Sequence, residues 1–301
     1  MKISVVISAF NEEKMIEDCL KSAKLVADEI ILVDNTSQDS TVEIAKKYTD
    51  KIFIRPNDPV MLNRNKNFGF SKATGDWIIS LDADERITGQ LASEIKKAVA
   101  KKDFNGWEIP RKNIIFGKWI RHSIWWPDYN LRLFRRGYGK FAEKHVHEKL
   151  DVKGEIGQLE NPMTHYNYQT VSQFIGKLDK TYTESEVDNF LKSGKSIFWY
   201  DAIRWPANDF IKTFFFQQGY KDGLHGLILS QLQAFYALIF FAKVWERKEN
   251  FKDLTPDNFF MEFLKELSQI AKDIKYWIYE VLMEENPAKK ILFRIKRRLN
   301  L

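Results

Sequence analysis

Short β-branched runs alternate with amphipathic stretches through the first eighty residues. Ile3–Ser8, Glu29–Val33 and Ile52–Arg55 read as strands, and Glu12–Lys24 and Ser40–Tyr48 carry apolar residues at helical spacing between them. That alternation predicts βαβαβ and hence a largely parallel sheet. A further helix over Arg64–Ala73 is ended by Gly75, and Trp77–Leu81 follows as a fully apolar strand that runs straight into Asp82-Ala83-Asp84. Leu91–Lys101 reads as a surface helix, and Trp107–Leu150 as strand-like, with turns at Gly117, Pro127 and Gly137–Gly139. Beyond Tyr168 the period turns helical, with helices expected over Val171–Leu191, Asp209–Tyr220, Leu224–Lys248 and Asn258–Met283. The expected class is therefore α/β, with a mostly parallel, Rossmann-like domain over residues 1–168 and a helical extension over 169–301.

Composition narrows the setting. With 44% hydrophobic and 29% charged residues in 301, the chain is a folded protein and not a disordered one. Cys19 is the only cysteine, which excludes an intrachain disulfide and a thiolate metal cluster and is compatible with the cytoplasm. The first apolar run is followed at once by Asn11, Glu12 and Glu13, with no small-residue cleavage site, so it reads as a strand and not as a signal peptide. Aromatic residues make up 14% of the chain and crowd its second half, and the net charge is +6.

The first chemistry lies at the strand ends. Along an extended segment Asp82 and Asp84 point the same way, while Ala83 points into the fold. Ligands of parallel α/β sheets bind beyond the carboxyl ends of the strands, so a hard cation, Mg²⁺ or Mn²⁺, held by this pair would sit where a diphosphate docks. An isolated pair of this kind is equally what two exposed acids in a turn look like. No glycine precedes Gly69, which excludes a glycine-rich phosphate turn after the first strand. A nucleotide would have to be held by side chains, and these are available in Ser8–Glu12 and Asp34–Thr41, where Asp34 is placed to accept a base N–H or a ribose hydroxyl. Asp39-Ser40-Thr41 also reads as a helix N-cap.

Four ordered stretches, Ile3–Glu13, Ile31–Thr41, Arg64–Gly69 and Gly75–Asp84, resemble the inverting family 2 glycosyltransferases of the GT-A fold. Leu131–Arg136, Val146–Glu148, His165-Tyr166 and Gly219–Gly226 look further like the bacterial lipopolysaccharide-core β-1,4-glucosyltransferases. The resemblance implies that Asn11, Glu12 and Asp34 surround the nucleoside, beside Ser8 of the same strand end, with Arg64 near the diphosphate. Arg132, in a basic run with Arg135 and Arg136 that reads either as a solvated edge strand or as a phosphate site, is a second diphosphate candidate. It puts Asp82 and Asp84 at the ribose and metal, with His165 a third metal ligand. It also implies a UDP-hexose donor, UDP-glucose first, and a lipid-linked glycan acceptor.

Inversion needs one carboxylate to take the proton of the acceptor hydroxyl. Glu148 stands at the family's catalytic position, although Lys149 follows it where an Asp is usual; Asp128, framed by Trp125, Trp126 and Tyr129, is the other candidate. His145, His147 and His165 invite a zinc reading, but no thiolate or His-Glu-x-x-His helix accompanies them.

Leu224–Ala242 lacks charge yet is interrupted by His225, Ser230, Gln231 and Gln233, and reads as a buried or interfacial helix. Ala288–Leu299 interleaves basic and apolar residues without an acid, the pattern of a helix lying on an anionic membrane surface and not of a nucleic-acid tail. The expected location is therefore peripheral, on the inner face of the cytoplasmic membrane. Hexosyl transfer to a polyprenyl phosphate, or a non-catalytic glycan- or membrane-binding scaffold, are the rival functions.

Overall fold

The structure, a computed structural model, describes residues 1–58, 62–143, 149–179 and 183–299. It divides into two compact units: residues 1–119 with 125–169, and residues 120–124 with 170–301.

The first unit is α/β. Its elements run β1 (Ile3–Ala9), α1 (Ile16–Ala23), β2 (Glu29–Asp34), α2 (Thr41–Ala45), β3 (Ile52–Ile54), α3 (Leu62–Lys72), β4 (Trp77–Asp82), β5 (Glu85–Arg86) and α4 (Gly89–Ala98), then β6 (Gly106–Ile115), β7 (Lys118–Trp119), β8 (Tyr129–Arg135), β9 (Gly139–Lys140), β10 (Asp151–Val152), β11 (Ile156–Gln158) and β12 (Met163–Tyr168). The sheet order is β3-β2-β1-β4-β8-β6-β12-β5, parallel from β3 to β4 and antiparallel where β8 enters.

β1 and β4 are apolar on both sides because both faces are covered. Val5, Ile7 and Ile79 pack with Ile16, Cys19, Leu20, Leu91 and Ile95 on one face, and Val6, Ile31 and Ile78 with Phe70 and Phe134 on the other. The helix α3 approaches β1 so closely that a Cβ on Gly69 would run into Val6. The register sets Ser8 beside Asp82 and Ala9 beside Asp34, which brings the carboxyl ends of β1, β2 and β4 level. This edge carries the candidate site.

The second unit is helical: α5 (Val171–Lys177), α6 (Thr183–Lys192), α7 (Asp201–Phe210), α8 (Leu224–Glu249), α9 (Phe259–Glu285) and α10 (Lys290–Leu299). Where one helix is expected over Val171–Leu191, α5 ends at Lys177 in a wider π turn and α6 begins at Thr183. The helix expected over Asp209–Tyr220 also differs. After α7 the chain widens into a π turn over Ile211–Phe216, as the Thr213 hydroxyl donates to the Asp209 carbonyl at 2.7 Å, and then tightens over Gly219–Asp222. Gly226 of α8 lies against Gly219, and a Cβ there would run into the Gly219 carbonyl.

Among the described residues α8 alone is long and apolar enough to cross a membrane, with mean hydropathy 1.6 over its best window, of which 28% is buried. Its inner side joins Phe241 and Val244 to Val187, Ile197 and Trp205. Lys243 and Arg247 tie it to Glu184 of α6.

Candidate functional site

The loops after β1 and β2 are laced together. Asn11, in the left-handed region at φ 54°, accepts the Gln38 N–H on Oδ1 at 2.8 Å and donates its own N–H to Ser37 Oγ at 2.9 Å. The Glu12 N–H donates to Thr41 Oγ1 at 2.7 Å. Asn35 Nδ2 donates to Ser8 Oγ at 3.1 Å, and Asn65 Nδ2 donates to Asn35 Oδ1 at 2.7 Å. Thr36 holds φ 61°, a conformation that a β-branched residue adopts only under constraint. Beside it Asp34 is 1% exposed; its Oδ2 accepts the Ser37 N–H at 2.9 Å, while Oδ1 is buried without a hydrogen-bond partner among the described residues. A buried carboxylate oxygen of this kind calls for a donor that the described residues do not supply.

At the end of β4 the two acids are engaged differently. Asp82 takes Lys66 Nζ on Oδ1 at 2.6 Å and Arg132 Nη2 on Oδ2 at 2.6 Å. Arg132 Nη2 also reaches Glu85 Oε1 at 2.6 Å, and Arg111 Nη1 stands 3.8 Å from the same oxygen. Burial by itself would raise the Asp82 carboxyl, but Arg132 and then Lys66 outweigh it and hold it far below the ordinary carboxylate range. The same burial opposes the charge of Arg132, and Asp82 and Glu85 overcome it. Asp84 lies past the strand end, in a turn where strand alternation no longer governs direction, and its Oδ2 faces His165 Nε2 at 3.5 Å. Beneath this turn the buried Cys19 thiol donates to the Asp82 carbonyl at 3.4 Å, and burial pushes its pKa well up.

His165 lies on β12, opposite Glu85 in the register. Its Nδ1 is 2.7 Å from Asn113 Oδ1, and Asn113 Nδ2 donates to the Trp125 carbonyl at 2.9 Å and to Asp128 Oδ2 at 3.1 Å. Those last two partners only accept, so the amide has one consistent orientation, its oxygen facing the ring. His165 Nδ1 therefore carries the hydrogen, and in the neutral ring Nε2 turns a lone pair toward the Asp84 carboxylate. Two electron-rich groups in that relation suit a shared cation. Among the described residues no group of three or more His, Cys, Asp or Glu is placed to hold a metal. A cation at Asp84 and His165 would draw its other ligands from a bound diphosphate and water.

Asp128 accepts Arg111 Nε and Nη2 at 2.9 and 2.7 Å and Asn113 Nδ2, all on Oδ2, and Asn130 Nδ2 on Oδ1 at 2.9 Å. Arg64 is exposed and stands 3.7 Å from Asp58 and 3.8 Å from Glu143, on a groove of about 590 Å³ that Arg55, Asn67 and Lys140 also line. Arg135 and Arg136 serve the fold, over the Trp77 ring and on the Gly75 carbonyl. Glu148, His145 and His147 lie outside the described residues.

The model for glycosyl transferase family 2 matches residues 4–150. Residues 4–150 are a family 2 glycosyltransferase domain. The chain is 28% identical over 255 residues to the lipopolysaccharide core biosynthesis glycosyltransferase LpsC of Rhizobium meliloti, covering 82% of this chain and 93% of that one. It is 27% identical over 296 residues to an uncharacterized glycosyltransferase of Rickettsia typhi, covering 91% and 98%. Among solved structures it is similar to glucosyl-3-phosphoglycerate synthase of Mycobacterium tuberculosis in complex with Mn²⁺ and UDP-glucose, at 22% identity and a TM-score of 0.31 over 36% of this chain and 43% of that one.

Four residues that knit the candidate site together escape the sequence reading: Lys66, Glu85, Arg111 and Asn113. Asn113 and Glu85 stand out only in the structure. Each is a polar residue fully buried on a strand, and a buried polar group on a strand has a partner to find.

Proposed function

We propose that this glycosyltransferase transfers a hexose with inversion, glucose from UDP-glucose, to a lipid-linked glycan such as the lipopolysaccharide inner core. The reaction takes place at the cytoplasmic face of the membrane, with Mg²⁺ or Mn²⁺ held by Asp84 and His165. The observation that carries the reading is His165 Nε2 facing the Asp84 carboxylate at 3.5 Å, with the ring held from its other nitrogen by Asn113. When bound, the cation offsets the charge that the leaving diphosphate gains.

The remaining roles fall to the chain's own residues. Asp34 Oδ1, buried without a donor, takes an N–H of the base or a ribose hydroxyl, beside Ser8, Asn11 and Glu12. Asp82, kept ionised by Lys66 and Arg132, accepts hydroxyls on the ribose and sugar side, and Arg132 steadies the diphosphate end together with Arg64. Glu148 takes the acceptor hydroxyl's proton as that oxygen attacks the anomeric carbon and the bond to the diphosphate breaks on the opposite face. The alternative base, Asp128, already accepts hydrogen bonds from Arg111, Asn113 and Asn130, which favours Glu148. The likeness to LpsC supports a lipopolysaccharide-core acceptor.

Titration calorimetry with UDP, with and without Mn²⁺, tests the metal role: Asp84→Ala should abolish the Mn²⁺-dependent gain in affinity, and an unchanged gain rules the role out. Glu148→Gln should leave UDP binding near wild type and cut turnover by about a hundredfold or more. If Asp128→Asn does this and Glu148→Gln does not, the base is Asp128.

A further inference from the structure

The last helix touches the rest of its unit along one side. On α10 the Phe293 ring lies 6.3 Å from that of Tyr279, and Arg297 pairs with Glu280 and sits 4.7 Å over the Tyr276 ring, all three on α9. At 3.6 residues per turn, Ile291, Leu292 and Ile295 then fall on the side turned away from α9. They are 74%, 48% and 50% exposed. Arg294 and Arg298 border this apolar strip on one side and Lys296 on the other, and no acid occurs after Glu285.

Exposed aliphatic side chains framed by cations are poorly suited to the groove of a neutral partner, where the cations would be buried unpaired. Nucleic acid would use the cations and leave the strip in water. Both features are used at once where aliphatic side chains sink beneath lipid headgroups and Lys and Arg stems reach back to the phosphates.

We propose that α10 is an interfacial helix that docks the chain on an anionic bilayer surface, with Ile291, Leu292 and Ile295 below the headgroups and Arg294, Lys296 and Arg298 at the lipid phosphates. This deepens the reading of a lipid-linked acceptor. Its test uses neither donor nor acceptor, so the two readings fail separately.

The full chain is sedimented with vesicles of phosphatidylcholine alone and of phosphatidylcholine with roughly one-third phosphatidylglycerol, at low and high NaCl. Wild type should bind the mixed vesicles, lose that binding in high salt, and bind the neutral ones far more weakly. Arg294→Glu with Arg298→Glu should lower partitioning to mixed vesicles about 30-fold or more. Ile291→Ser with Ile295→Ser should lower it at least roughly tenfold while keeping the salt dependence. Arg297 is left in place because it holds α9, and melting temperatures check that the fold of both double variants is intact. Equal wild-type sedimentation with the two vesicle types overturns the proposal without reference to any variant. So does wild-type binding by both folded double variants.

Discussion

Asn113 shows how much a single amide can decide. Its nitrogen is committed to the Trp125 carbonyl and Asp128, so its oxygen must receive the hydrogen on His165 Nδ1, and the ring's other nitrogen, Nε2, is turned to Asp84. Asn113→Leu removes that constraint while filling similar space. With UDP present, Mn²⁺ affinity is expected to fall by about 10- to 100-fold, and histidine ¹⁵N shifts should show both neutral tautomers of His165. Unaltered shifts would mean that the ring is oriented by something else. At this scale the sequence shows the residues that end strands: Asp34 and Asp82 each close an apolar run and Ser8 lies near the end of another, so their position at the sheet edge could be read directly. Their partners could not, because Lys66, Arg111 and Arg132 reach the acids across the fold, from a helix and two strands that no local pattern brings together. Asp82 and Asp84 also look alike in sequence, and only the turn after β4 separates their surroundings.

Elements were legible where one period governs a long stretch. The long helices α8 and α9 start and stop within two residues of the expected spans, because α8 opens with a long stretch free of charged residues and α9 repeats apolar residues at helical spacing. The stretch before α8 was not, since its π turn depends on the Thr213 hydroxyl and on backbone contact between Gly219 and Gly226. Gly226→Ala should therefore cost more than the roughly 1 kcal/mol by which alanine favours a helix interior over glycine, seen as a lowered melting temperature. The β1–β2–β4 edge opposite the site is secured by Glu29, which accepts from Ser4, Lys51 and the Thr74 N–H. Burial opposes its charge, but the hydrogen bonds of Lys51, Ser4 and Thr74 prevail and lower its pKa to about 2. A pKa lowered by folding stabilises the protein above the unfolded value near 4.5, and that contribution is lost as pH falls toward 2. Denaturant titrations should show at most about 3 kcal/mol of acid-sensitive stability from this group. Glu29→Gln should be less stable at neutral pH and have a flatter profile below pH 4.5.

For the whole molecule, the net charge of +6 gains meaning from where it lies, with six basic residues and no acid after Glu285. Turnover on an acceptor carried in anionic vesicles should exceed that in neutral vesicles, and high salt should remove the difference while leaving hydrolysis of soluble UDP-sugar unchanged. The sequence indicated this basic, apolar tail, but the side that α10 leaves free could be named only once Phe293 and Arg297 were seen against α9. Cys19 gives the chain a built-in reporter. It is the only thiol, fully buried under the Asp82–Asp84 turn, and burial keeps it protonated. An aromatic disulfide reagent should therefore modify the native protein only as fast as this part of the sheet opens. The labelling rate then measures, without any engineered probe, how often the floor of the candidate site comes apart. A bound donor analogue should slow it in proportion to its occupancy.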